Sequence, residues 1–287
     1  MILAVASGKG GTGKTTVAAN LAWAAAAEGM AVQFLDCDVE EPNGHIFLKP
    51  VFDDRRPVTV PTPEEVAENC DGCRLCVGVC EFNALIVLGE RVLVFPELCH
   101  GCGACVAACP RQALVERGRP VGKVESGDAG GVFFVQGILG IGQVLATAVI
   151  HAVKEAARKE MPLTIIDCPP GTSCPVIESV RHADFVLLVT EPTPFGLHDL
   201  KLAVAMLRAL GKPFAVAVNR HDAGDEGVAL YCREEAIETM LNLPDDRRIA
   251  EAYSRGELLL ETLPRYRPFF SRLLVKLLSA GQKEAAR

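Results

Sequence analysis

Gly8-Lys9-Gly10-Gly11-Thr12-Gly13-Lys14-Thr15-Thr16 stands between an apolar run, Ile2 to Ala6, and a stretch with helical spacing, Lys14 to Glu28. Strand, glycine-rich turn and helix in that order are the setting a phosphate-binding loop requires. Glycines let backbone N–H groups close on an anion, and the helix N-terminus adds partial positive charge. Lys14 is placed to reach the β and γ phosphates of a nucleotide, and the Thr15 hydroxyl to coordinate Mg²⁺. A plain glycine turn needs neither of these side chains at these offsets. The helix that follows carries Val17, Leu21, Ala24 and Ala25 on one face and meets Gly29, a suitable stop.

Further apolar runs lie at Ala31 to Leu35, Leu163 to Ile166, Phe185 to Val189 and Phe214 to Val218, separated by helical patterns such as Leu197 to Leu210. Continuous apolar strands alternating with helices predict an α/β fold, a mostly parallel sheet covered by helices on both faces. Ala129 to Val153 is 25 residues without a formal charge, long enough to cross a membrane. It holds Gln136, Gln143, His151 and five glycines, however, and a crossing would set the glycine loop and Asp167 on opposite sides of a bilayer. The same run reads better as a buried strand, Val132 to Gln136, a glycine turn, and a helix from Gln143 onward.

The chain has 287 residues, room for about two domains of roughly 150 residues each. With 49% hydrophobic and 23% charged residues it is neither disordered nor fibrous. Lys plus Arg number 29 against 36 Asp plus Glu, and a formal charge of -7 speaks against nucleic acid as a main partner.

Twelve cysteines are the anomaly, and eight of them fall between Cys70 and Cys109. The opening MILAVASGKGG lacks a basic segment ahead of a separate apolar stretch, which predicts a cytoplasmic, reducing location. Clustered cysteines there serve metal binding or redox work rather than disulfides. They interrupt the α/β alternation, after a stretch rich in proline and charge from Pro57 to Glu68. The expected organisation is a divided main domain, residues 1–63 and 118–287, around an insert at residues 64–117. The insert repeats at an offset of 29 residues: Cys70, Cys73, Cys76 and Cys80 map onto Cys99, Cys102, Cys105 and Cys109, and Ala84-Leu85-Ile86 maps onto Ala113-Leu114-Val115.

Lys9, a second lysine near the start of the loop, resembles the deviant P-loop of the MinD/Mrp and nitrogenase-iron-protein class of ATPases. Asp36-Cys37-Asp38-Val39-Glu40-Glu41-Pro42-Asn43 is similar to the first switch of that class, and Asp167-Cys168-Pro169-Pro170-Gly171-Thr172 to its Walker-B and second-switch segment. Asn219-Arg220 looks like its base-recognition site. Asp245, Asp246 and Ile249 to Leu258 resemble the segment that closes over the nucleotide. The resemblance implies a P-loop fold binding ATP or ADP with Mg²⁺. Gly8, Lys9, Gly10, Gly11, Thr12, Gly13, Lys14, Thr15, Thr16, Asn219 and Arg220 would hold the nucleotide. Lys9, Lys14, Asp38 and Asp167 would carry the chemistry, and Thr15, Asp38 and Asp167 would serve the metal. Lys9 would reach a partner's nucleotide in an ATP-dependent homodimer.

The two C-x2-C-x2-C-x3-C runs resemble a bacterial two-cluster ferredoxin, so the whole chain resembles MinD-superfamily ATPases that carry an inserted ferredoxin domain. The fourth cysteine of each run then serves the other cluster. The resemblance assigns Cys70, Cys73, Cys76 and Cys109 to one [4Fe–4S] cluster, and Cys99, Cys102, Cys105 and Cys80 to the second, with zinc knuckles as an alternative. Cys80-Glu81 departs from the proline seen at Cys109-Pro110 without removing a ligand. From Glu64 to Arg117 there are eight acidic and four basic side chains, which favours low potentials. His100 reads as a loop residue rather than a ligand.

Cys37, Cys168, Cys174 and Cys232 remain and read as small, buried filler. Phe270, Leu273, Leu274, Leu277 and Leu278 recur at helical spacing, so the C-terminal segment forms an amphipathic helix. Docking onto the core is the reading preferred to membrane attachment. The expectation for the whole is a Mg²⁺-dependent ATPase coupled to electron transfer through two clusters, with an unidentified redox or metalloprotein partner. A cluster or metallocofactor carrier and a MinD-like regulator with sensing clusters are the alternatives.

Overall fold

The computed structural model describes residues 1–285. Eleven strands can be followed among them: β1 (Ile2–Ala6), β2 (Val32–Asp36), β3 (Val51–Glu65), β4 (Leu85–Leu88), β5 (Arg91–Val94), β6 (Leu114–Ala129), β7 (Val132–Leu139), β8 (Leu163–Asp167), β9 (Phe185–Thr190), β10 (Phe214–Val218) and β11 (Thr239–Asn242). Nine form one sheet in the order β11-β10-β9-β1-β8-β2-β7-β6-β3, and β4 pairs antiparallel with β5. The central pairs β1·β8, β1·β9, β2·β7, β2·β8, β9·β10 and β10·β11 are all parallel.

The apolar runs become the sheet interior because strands covered on both faces have no solvent side to keep polar. Leu3, Val5, Phe34, Ile165 and Leu187 are fully buried, and the Phe34 and Phe134 rings stack 5.5 Å apart. The uncharged run that was long enough for a membrane is β7, a glycine turn and the helix Ala146–Glu155. No helix among the described residues is long and apolar enough to cross a membrane.

The helix Lys14–Ala27 lies in the same apolar core as the helix Arg267–Ala285, whose Phe270, Leu273, Leu274 and Leu277 are buried. The apolar stripe of the last helix is therefore occupied by the core, as the docking reading requires. Leu278 is only partly buried against that core.

The stretch rich in proline and charge from Pro57 to Glu68 is strand as far as Glu65. Pro57, Pro61 and Pro63 lie within β3, the last strand of the sheet, where one edge needs no N–H donors and proline is tolerated. β6 and β7 are neighbours joined by Gly130-Gly131, both at positive φ (64° and 94°), and so run antiparallel.

The chain divides into two compact units: residues 1–55, 124–138 and 150–287, and residues 56–123 with 139–149. Strands β3 and β6 each contribute residues to both. The first unit holds the main apolar core. The second has a smaller one, built on Cys76, Leu85, Val87, Val92, Cys105 and Leu114.

Within the second unit the 29-residue repeat is legible in the backbone. The short helices Leu75–Gly78 and Ala104–Ala107 correspond, and so do the 3-10 turns Ala67–Asn69 and Pro96–Leu98. Asn83 and Gln112 both sit at φ 52°. Ala84 N–H donates to Cys80 Sγ at 3.4 Å, and Ala113 N–H to Cys109 Sγ at 3.2 Å.

Candidate functional site

The loop Ser7–Gly13 leaves β1 and enters the helix at Lys14 with Gly13 left-handed (φ 92°) and no side chain capping the first turn. The helix N–H groups are thus free for an anion. A Cβ on Gly13 would stand 2.5 Å from Asn219 Nδ2, and one on Gly8 2.2 Å from the Asp199 carbonyl oxygen, so both positions require glycine. Gly10, Gly11, Gly13, Lys14, Thr15, Thr16, Asp38, Asn219 and Arg220 line one cleft, about 1070 Å³ of empty space with its open mouth included. Pro170, Asp245, Asp246, Ile249 and Tyr253 complete the wall. The segment compared with a nucleotide-closing element therefore faces the glycine loop. Of the remaining loop residues, Thr12 is buried, and Gly8 and Lys9 precede the lining.

Three carboxylates gather beside Lys14. Asp36 and Asp167 are register partners on adjacent strands, both fully buried. Asp36 accepts the Gly44 N–H at 2.8 Å and the Asp38 N–H at 3.2 Å, which fixes the turn carrying Asp38. Lys14 Nζ is 3.9 Å from Asp38 Oδ2. Burial, and then the charge of Asp167, raise the Asp36 pKa well above the carboxylate range. Burial also raises Asp167, against the pull of Lys14 and the Thr15 hydroxyl. Asp38 is pushed up to about 6 by burial, with Lys14 opposing and Asp167 adding.

Both Asp167 carboxylate oxygens are cut off from solvent and, although the Thr15 hydroxyl lies near, neither makes a hydrogen bond of ordinary geometry among the described residues, and the same holds for the Thr12 hydroxyl. A buried carboxylate without partners is costly unless a cation meets it. Oxygen donors next to a phosphate loop suit Mg²⁺, so the residues present fit that ion.

Asn219 Nδ2 donates to the Thr12 carbonyl at 3.0 Å, so this side chain braces the loop as well as lining the cleft. Lys9 Nζ lies 3.6 Å from Glu191 Oε2, and Arg220 is 3.4 Å from Glu191 Oε1 and 3.8 Å from Asp245. Sequence reasoning did not single out Glu191, and it placed Asp36 in the first-switch segment without giving it a role. A charged residue directly after a buried strand was the available signal for the first. For the second it was an acid ending a strand level with Asp167.

The eight clustered cysteines divide by cavity. Cys70, Cys73, Cys76 and Cys109 line one, about 310 Å³ of empty space, and Cys80, Cys99, Cys102 and Cys105 line another of about 380 Å³. Among the described residues no three His, Cys, Asp or Glu side chains converge as a single metal ion requires. Four thiols around each void are the donor set of a [4Fe–4S] cluster and equally of a four-cysteine zinc site. All twelve cysteines are free thiols. Burial raises the Cys76 pKa and pushes that of Cys105 up to about 11. His100 lines the second cavity and stacks on Phe82 at 3.7 Å. Cys37, Cys168 and Cys232 are buried as expected, whereas Cys174, at the start of the helix Cys174–Val180, is exposed because its helix turns that end outward.

A parallel α/β sheet with a glycine loop, Lys14 and paired strand-end aspartates defines a P-loop nucleotide-binding protein. Residues 3–260 match the CobQ/CobB/MinD/ParA nucleotide binding domain, and the chain belongs to that family. Uncharacterized protein MJ0579 of Methanocaldococcus jannaschii is 31% identical over 271 residues, 91% of this chain and 92% of its own length. An iron-sulfur cluster carrier protein of Pyrococcus horikoshii is 25% identical over 269 residues, 88% of this chain and 77% of its own. The septum site-determining protein MinD of Pyrococcus horikoshii, solved with Mg-ADP, shares the fold. Its TM-score is 0.59 at 18% identity, covering 96% of this chain and 95% of its own.

Proposed function

We propose that this protein is a Mg²⁺-dependent ATPase, acting as a nucleotide-dependent homodimer. Its nucleotide state governs electron transfer between a partner redox protein and two [4Fe–4S] clusters held by a ferredoxin-like insert, residues 64–117. The observation that carries the reading is the lining of the two cavities, four thiols each with one drawn from the other half of the repeat. Eight ligands make two complete sets, which favours resident relay centres over a transferable cluster.

When bound, Mg²⁺ supplies charge neutralisation at the phosphates, and the clusters supply one-electron redox capacity. Thr15 and Asp167 would hold the metal, with Asp38 beside them. Lys14 and the loop N–H groups stabilise charge developing on the transferred phosphoryl group. Asp38 orients the attacking water and receives its proton. Asn219 and Arg220 border the base. Lys9 is tied to Glu191 of its own chain at 3.6 Å, so reaching a partner's nucleotide exchanges that carboxylate for phosphate.

The test measures reduction and transfer rates of both clusters with ADP, ATP and a non-hydrolysable analogue, alongside Lys14→Ala. Rates that follow the nucleotide in wild type and not in Lys14→Ala support the coupling, and rates indifferent to nucleotide overturn it. A second reading is favoured by the iron-sulfur cluster carrier protein of Pyrococcus horikoshii, 25% identical over 88% of this chain. In it, ATP drives cluster delivery to an apo acceptor without net redox change, and mixing holo protein with such an acceptor separates the two.

A further inference from the structure

Two walls of the nucleotide cleft come from segments far apart in sequence. The helix Arg247–Ser254 supplies Ile249, Ala250 and Tyr253, and the loop after β2 supplies Asp38, Glu41 and Asn43. The two walls meet at an aromatic contact. Tyr253 sets its ring against Phe47 of the helix Gly44–Leu48, centroids 5.0 Å apart and tilted by 36°, and Tyr253 itself, 46% exposed, still borders the cleft. Just past it, Gly256 turns at φ 65° so close to Ile46 that a Cβ there would stand 2.8 Å from Ile46 Cγ2.

The helix Gly44–Leu48 has five residues and no side chain capping its first turn, so it is too short to keep its place unaided. Contacts at its two ends fix it. At the start, the Gly44 N–H donates to Asp36 Oδ2 at 2.8 Å, and Oδ1 of the same carboxylate takes the Asp38 N–H at 3.2 Å. At the far end Phe47 is buried, with Tyr253 as its aromatic neighbour. The helix that carries Tyr253 is itself anchored, since Asp246 accepts the Arg248 N–H at 3.1 Å and the Tyr266 hydroxyl at 2.8 Å. The contacts thus run from Tyr253 through Phe47, Gly44 and Asp36 to Asp38. Of these five, Tyr253 and Asp38 line the cleft.

We infer that Tyr253 is a positioning residue for Asp38: through Phe47 it holds the turn at residues 36–44, and so links the helix that walls the cleft to the carboxylate at its hydrolytic end. The role of Asp38 rests on the ATPase reading above. Tyr253 does no chemistry itself. Misplacing a water-orienting carboxylate slows the chemical step more than it weakens substrate binding, whereas a ring that merely walls the nucleotide changes affinity alone. A single aromatic contact is worth a factor of about two to ten, which bounds the effect.

The experiment pairs steady-state ATP hydrolysis with hydrogen–deuterium exchange across residues 36–44 of the full chain, on wild type, Tyr253→Ala, Tyr253→Phe, Phe47→Leu and the double variant Tyr253→Ala with Phe47→Leu. Tyr253→Ala should lower kcat about three- to tenfold with KM less affected, and Tyr253→Phe should recover most of that loss. The double variant should fall by less than the product of the two single losses, since both substitutions break the same contact. Exchange across 36–44, where the Asp38 and Gly44 N–H groups are bonded to Asp36, should speed up severalfold in Tyr253→Ala. A Tyr253→Ala variant that changes KM alone, losses in kcat that simply multiply, or wild-type exchange over 36–44 overturns the inference and leaves the ATPase reading standing. Wild type that hydrolyses no ATP overturns the ATPase reading, and exchange then decides alone whether Tyr253 holds the turn. Should Phe47→Leu unfold the chain, Phe47→Met takes its place in the cycle.

Discussion

Asp38 is the residue on which pH should act most visibly. Its folded-state pKa of about 6 lies above the unfolded value near 3.8, so the folded state holds the proton more tightly. The resulting stability is complete below the unfolded value and is lost as pH rises through about 6. Nucleotide-free Asp38→Asn is therefore expected to melt above wild type at pH 8, with the gap closing as pH falls from 6 toward 4, as scanning calorimetry would record. Gly13→Ala is a different kind of test. It forces a side chain onto φ 92° against Asn219 and should cost roughly 1–3 kcal/mol, measurable by urea titration. Lys14→Ala should abolish stabilisation by Mg-ATP, which in wild type should reach about 2.7 kcal/mol at a hundredfold excess over the dissociation constant.

At the scale of elements, the buried parallel strands were legible because each is a continuous apolar run bounded by turn residues. Ile2–Ala6 and Phe214–Val218 match the apolar runs to the residue, and β2 runs one residue later than Ala31 to Leu35. β3 was not legible, since its prolines and charges obey the tolerance of a sheet edge rather than the pattern of an interior strand. For the candidate site, spacing pointed to the residues that line the cleft but could not reveal Glu191 and Asp36, whose roles depend on neighbours far away in sequence. The amphipathic stripe of Arg267–Ala285 left membrane or core open as its cover, and contact with Lys14–Ala27 decides for the core. Phe270→Ala, which empties a fully buried ring site, should lower stability by roughly 3–5 kcal/mol, and liposome sedimentation of wild type should show no ATP-dependent gain.

For the whole molecule, Lys9 offers the clearest reading of assembly. Its ion pair with Glu191 is partly exposed and therefore weak, so little opposes its transfer to a phosphate. Lys9→Ala is expected to remain monomeric with ATP in analytical ultracentrifugation while still binding nucleotide, and a variant that dimerises and hydrolyses normally would remove the role. The interleaving of the thiols makes each half of the repeat depend on the other. Each cavity draws three cysteines from one half and the fourth from its twin, so neither half alone carries a complete set. Under the proposed two-cluster reading, excising either half should therefore forfeit all the iron rather than half of it, because one deletion breaks both sets at once.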